Sequence, residues 1–67
     1  MKTEMPELKR YQQQAKWPDG KIQGGFVDWF TDDLDAAATS RVVMEQQGYK
    51  VKAVTVENQV VTIELER

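Results

Sequence analysis

The segment Thr31-Asp-Asp-Leu-Asp-Ala-Ala-Ala-Thr-Ser-Arg-Val-Val-Met-Glu-Gln-Gln-Gly48 can be little other than a helix, and the text on either side of it reads as strand and turn. Its start is marked twice. Thr31 and Asp32 can each accept from the free N–H groups of a first helical turn, and Asp32, Asp33 and Asp35 place negative charge at the positive end of the helix dipole. Gly48, after Gln46 and Gln47, supplies the left-handed residue that commonly closes a helix. Between these ends Leu34, Ala37, Ala38 and Val42 share a side at helical spacing, with Arg41 and Glu45 interrupting it and Ala36 and Val43 roughly opposite. The spacing therefore predicts a buried stripe through Leu34 and Val42. Three successive alanines make the helix thin, so that it can lie close on a sheet while adding little buried area.

Downstream, residues 49–56 and 60–66 alternate as two strands. A three-residue connection through Glu57, Asn58 and Gln59 would pair Val56 with Val60, Val54 with Thr62, Lys52 with Glu64 and Lys50 with Glu66. Tyr49, Val51, Ala53 and Thr55 would then gather with Val61, Ile63 and Leu65 on the core face. A two-residue connection would set Lys52 against Ile63 and mix charge into that core, so the longer loop is the expectation.

Upstream, residues 8–16 support two readings. As a helix they would place Leu8, Tyr11 and Ala15 on one side. As a strand they would run into the turn Trp17-Pro-Asp-Gly-Lys21, where proline suits the second position and glycine the left-handed position of a type I turn with a bulge. If Trp17 faces Lys21, Lys16 meets Ile22, Ala15 meets Gln23, Gln12 meets Phe26, Tyr11 meets Val27, Arg10 meets Asp28 and Leu8 meets Phe30. Ile22, Phe26 and Phe30 then share one side, and Tyr11, Val27 and Trp29 the other. Gly24-Gly25 in mid-strand is the weak point, because a bulge there would shift half the register by one residue.

The expected fold is α+β: residues 1–7 as a loosely tethered leader, then residues 8–67 as one domain in the order β-β-α-β-β. One helix packs on one face of a three- or four-stranded sheet. The helix crossover should leave its flanking strands parallel and the connection right-handed. With 67 residues the domain is near the size at which burial barely offsets chain entropy, and without Cys or His it has no disulfide and no thiolate or imidazole metal site. The absence of cysteine and of a long apolar run fits a cytoplasmic protein that does not enter membrane.

The same composition removes the commonest acid, base and nucleophile. Asp28, Asp32, Asp33 and Asp35 are an acidic cluster whose spacing matches no calcium loop and suits a helix N-terminus, so no metal and no cofactor is expected. Gly24-Gly25 opens into a strand rather than a helix and is not a phosphate loop. The chain is read as a non-catalytic protein–protein interaction module, because more large apolar side chains fall on the strands than one helix can cover. Tyr11, Trp17, Val27, Trp29, Val54, Val56 and Val60 are the candidate contacts, for an unidentified protein partner or for a second copy in a homodimer. The alternative is a single-stranded nucleic-acid module using Lys9, Arg10, Lys16 and Lys21 among Tyr11 and Trp17. Its field would be local, since residues 25–67 hold eight acidic side chains against four basic ones. The layout from Trp29 through the helix to Val51 is similar to that of many small accessory proteins, including some bacteriophage-encoded inhibitors of host enzymes. That likeness rests on element order, a cap and a stop, and implies no role for any residue.

Overall fold

The computed structural model describes residues 7–66, so the expected leader lies outside the described residues except for Glu7. The fold is α+β. Strands β1 (Lys9–Lys16) and β2 (Ile22–Phe30) precede helix α1 (Asp33–Gln46), and β3 (Lys50–Glu57) and β4 (Val60–Glu66) follow it. They form one four-stranded sheet in the order β2-β1-β4-β3, with β1 antiparallel to β2 and parallel to β4, and β3 antiparallel to β4. The strands that flank the helix are therefore parallel, as expected of a crossover, but stand at opposite edges. Edge to edge the sheet is about 14 Å wide and the helix about 21 Å long, so the helix runs obliquely from one edge to the other. It lies chiefly against β3, and less against β4 and β2.

The ends of α1 follow from the residues that mark them. Asp32 is the N-cap and accepts from the Asp35 N–H at 2.8 Å, while Asp35 reaches back to the Thr31 N–H at 3.1 Å. At the other end Gly48 adopts φ +95°, its N–H donates to the Glu45 carbonyl at 3.0 Å and that of Tyr49 to Met44 at 3.2 Å, the paired bonds of a Schellman motif. The buried face is not the one the apolar spacing suggested. Ala36 and Ser40 face the sheet with Met44 half-buried behind them, whereas Leu34 is 83 % exposed and Val42 is exposed as well. An oblique crossing close to the sheet selects the small residues at spacing four, and Leu34 would hold the helix away.

Both hairpins carry a bulge. The first turn forms as its residues dictate: Trp17 N–H donates to the Lys21 carbonyl at 2.8 Å, Gly20 N–H to Trp17 at 2.9 Å, and Gly20 sits at φ +92°. Lys16 meets Ile22 and Ala15 meets Gln23, but beyond a break opposite Gln14 the pairs become Gln13–Phe26, Gln12–Val27, Tyr11–Asp28, Arg10–Trp29 and Lys9–Phe30. Gly24 and Gly25, the latter at φ +97°, absorb the extra residue. In the second hairpin the loop is the two residues Asn58 and Gln59, at φ +51° and +59°, both signs that a type I′ turn requires. Glu57 meets Val60, Val56 meets Val61, Val54 meets Ile63 and Ala53 meets Glu64; then a bulge at Lys52 restores Val51–Leu65 and Lys50–Glu66. The shorter loop thus avoids the charge in the core by ejecting Lys52 from the ladder.

These shifts rebuild the core. It consists of Tyr11, Phe30, Ala36, Val61, Ile63 and Leu65, with Ala15, Trp17, Met44, Val51, Val54 and Val56 packed partly buried against it. The rings of Tyr11 and Phe30 meet edge to face at 5.6 Å between centroids.

Candidate functional site

Alternation along the strands, fixed by the buried residues, sorts the sheet into a face under α1 and a face with no element over it among the described residues. The uncovered face carries Arg10, Gln12, Gln14 and Lys16 from β1, Val60, Thr62 and Glu64 from β4, and Ile22, Val27 and Trp29 from β2. Its centre is polar and internally tied: the Gln14 amide donates to the Thr62 hydroxyl at 3.0 Å, and the Gln59 amide donates to the Arg10 carbonyl at 2.6 Å. Its β2 margin is apolar. Ile22 is 57 %, Val27 45 % and Trp29 54 % exposed. The Gly24-Gly25 bulge makes this patch, because without it Ile22 would lie on the same side as Phe26 and Phe30.

The seven residues expected from sequence to form one contact surface are divided by the fold. Val27 and Trp29 lie on the uncovered face, with Val60 half-buried beside Gln12. Tyr11 has no exposure and lies under the helix, a correction that follows from the one-residue shift of register. Val54 and Val56 likewise point into the core opposite Ile63 and Val61, not onto a charged outer face. Trp17 is half-buried and stacks edge to face on Tyr49 at 5.5 Å. Ile22 was missed as a contact because its placement depends on the bulge. The basic set is split too: Arg10 and Lys16 share the uncovered face, where Lys16 lies opposite Glu64, while Lys9 pairs with Phe30 on the helix side.

On the helix side, the lean of α1 toward β3 leaves a groove of about 370 Å³ over β1, walled by Trp17, Phe26, Val43 and Tyr49. Among the described residues its lining carries no charged side chain, and within it the Gln13 amide donates to the Ser40 hydroxyl at 2.8 Å. The acidic residues at the start of α1 are engaged with the protein itself. The Tyr11 hydroxyl donates to Asp33 at 2.7 Å, Asp35 accepts from the Thr31 and Thr39 hydroxyls, and Asp32 caps the helix. Tyr11 is in turn pushed up to about 12, first by that hydrogen bond to Asp33, then by desolvation and by the charges of Asp33, Asp32 and Asp35. A phenol so held is a structural donor and a poor base near neutral pH.

No protein-family model, curated protein or solved structure matches this chain. No helix among the described residues is long and apolar enough to cross a membrane.

Proposed function

We propose that the chain is a non-catalytic docking domain that binds a protein partner through the β2 margin of the uncovered sheet face, with Trp29 as anchor, Val27 next to it and Ile22 further along the same margin. The observation that carries this reading is the exposure of three large apolar side chains of one strand, Val27 and Trp29 adjacent on the face and Ile22 beyond the Gly24-Gly25 bulge, on a face that α1 does not reach. Such a patch is the feature that distinguishes an interaction surface from scattered surface hydrophobics, and Trp is enriched among residues that dominate binding energy. The polar, internally hydrogen-bonded centre of the face would form the rim.

The test is affinity capture from a source lysate with the whole chain and two variants. Trp29→Ala should lose the captured protein, whereas Leu34→Gln on the far side of α1 should retain it. Retention by Trp29→Ala defeats the assignment of this face.

A further inference from the structure

β2 is an edge strand whose outer side pairs with no strand among the described residues. Edges are usually blunted by charge and bulges. Both edges are bulged, β3 at Lys52 and β2 at Gly24-Gly25, but β3 carries Lys50, Lys52 and Glu57 whereas β2 has a single charge, Asp28, in nine residues. Its ladder shows which backbone groups face outward. Trp17 donates to Lys21, so alternation turns Lys21 and Gln23 toward β1 and Ile22 away from it. Gln12 donates to the Gln59 carbonyl on the β4 side, so Tyr11 and Gln13 face β2; their partners Phe26 and Asp28 face inward, and Val27 and Trp29 outward. Among the described residues the outward Trp29 N–H is met only by the carboxylate of Asp28, at 2.8 Å.

In an unbroken strand, residues of even and odd number keep to opposite faces, and a two-fold antiparallel pairing can join only residues of like parity. The Gly24-Gly25 bulge changes this rule: Ile22 and Val27 share a face and both turn their backbone groups outward. We propose that two copies of the chain join along β2, antiparallel about a two-fold axis between Gly24 and Gly25, to give one eight-stranded sheet. Ile22 then faces Val27 of the second copy in hydrogen-bonding positions, Gln23 faces Phe26, and Lys21 faces Asp28, each contact occurring twice. Glycines stand at the axis, and the space where a Gly25 side chain would project is open. Sliding the pair by two residues keeps the faces matched but sets Lys21 against Phe30 and Asp28 against Gln23, losing both opposed charge pairs. Charge complementarity therefore selects the register. This pairing uses the edge of β2 and stands without the docking reading, although it would bring both copies of Ile22, Val27 and Trp29 into one stripe across the axis.

Sedimentation velocity of the whole chain from micromolar to millimolar concentration tests it. The native chain should dimerise. Lys21→Asp and Asp28→Lys should each weaken association about tenfold by opposing like charges twice, and the two together should restore it. Both positions are exposed, and far-ultraviolet circular dichroism checks that each variant folds; should one fail, Lys21→Gln or Asp28→Asn replaces it and should weaken association by a smaller factor. A native chain that stays monomeric throughout overturns the proposal, as do single variants that associate normally or a double variant that does not recover. Failure here leaves capture by Trp29 untouched, so the two readings fall separately.

Discussion

The hydroxyl of Tyr11 in β1 donates to the carboxylate of Asp33 in the first turn of α1 at 2.7 Å, tying the sheet to the helix where the helix begins its crossing. The bond needs a protonated phenol, and the fold raises the Tyr11 pKa to about 12 from an ordinary value of 10.0. A raised folded-state value means that this contribution to stability is complete below the unfolded value and is lost as pH climbs through the folded one. The urea midpoint should therefore fall between about pH 10 and 12, and Tyr11→Phe should lower the midpoint at neutral pH while flattening that alkaline decline. The difference between the native chain and Tyr11→Phe isolates the tyrosine.

The bulge in β2 places Gly25 at φ +97°, a backbone conformation that a side chain resists whatever space surrounds it. Gly25→Ala should cost about 1–2 kcal/mol in denaturant titration. At Gly24, which has no positive φ, an added Cβ would meet the Gln14 Cβ at 3.4 Å, an ordinary contact, so Gly24→Ala should cost less. Equal costs would mean that the extra residue is not absorbed at Gly25.

The choice of helix face gives a third test. Leu34, in the stripe that the spacing selects, is 83 % exposed, and Leu34→Gln should change stability by no more than about 0.5 kcal/mol. Ala36 is fully buried against the sheet, so Ala36→Leu should destabilise by about 1–3 kcal/mol through overpacking.

The order of elements was legible because their signals are local: Asp32 and Gly48 bound the helix, Trp17 to Lys21 specifies the turn, and alternation marks the strands. The neighbours of each strand were not, since pairing β1 with β4 depends on a parallel contact between the ends of the chain. Faces failed where one residue decides them. The possibility of slippage at Gly24-Gly25 could be read from the glycines, but not that it occurs. In the second hairpin, positive φ at Gln59 runs against local preference, and the hydrogen bond its side-chain amide donates to the Arg10 carbonyl, a tertiary contact, accompanies the tight turn. Tyr11, Val54 and Val56 moved into the core for these two reasons alone.

Val54 and Trp29, both expected from the sequence to contact a partner, should now behave in opposite ways. Val54 packs half-buried on the core opposite Ile63, and Val54→Ala removes two methyl groups from a core with few large side chains. Its cost should be about 1–2 kcal/mol, below that of a fully buried truncation because the site is partly open. Partner capture by the folded fraction should be unchanged. Trp29 projects from the uncovered face at 54 % exposure, so Trp29→Ala should leave the denaturation midpoint nearly where it was and remove the captured partner. Measuring both variants by urea titration and by capture separates folding from binding. Loss of capture by Val54→Ala at full folding would move the docking site to the β3 side of the sheet, and a large loss of stability in Trp29→Ala would make that side chain part of the core.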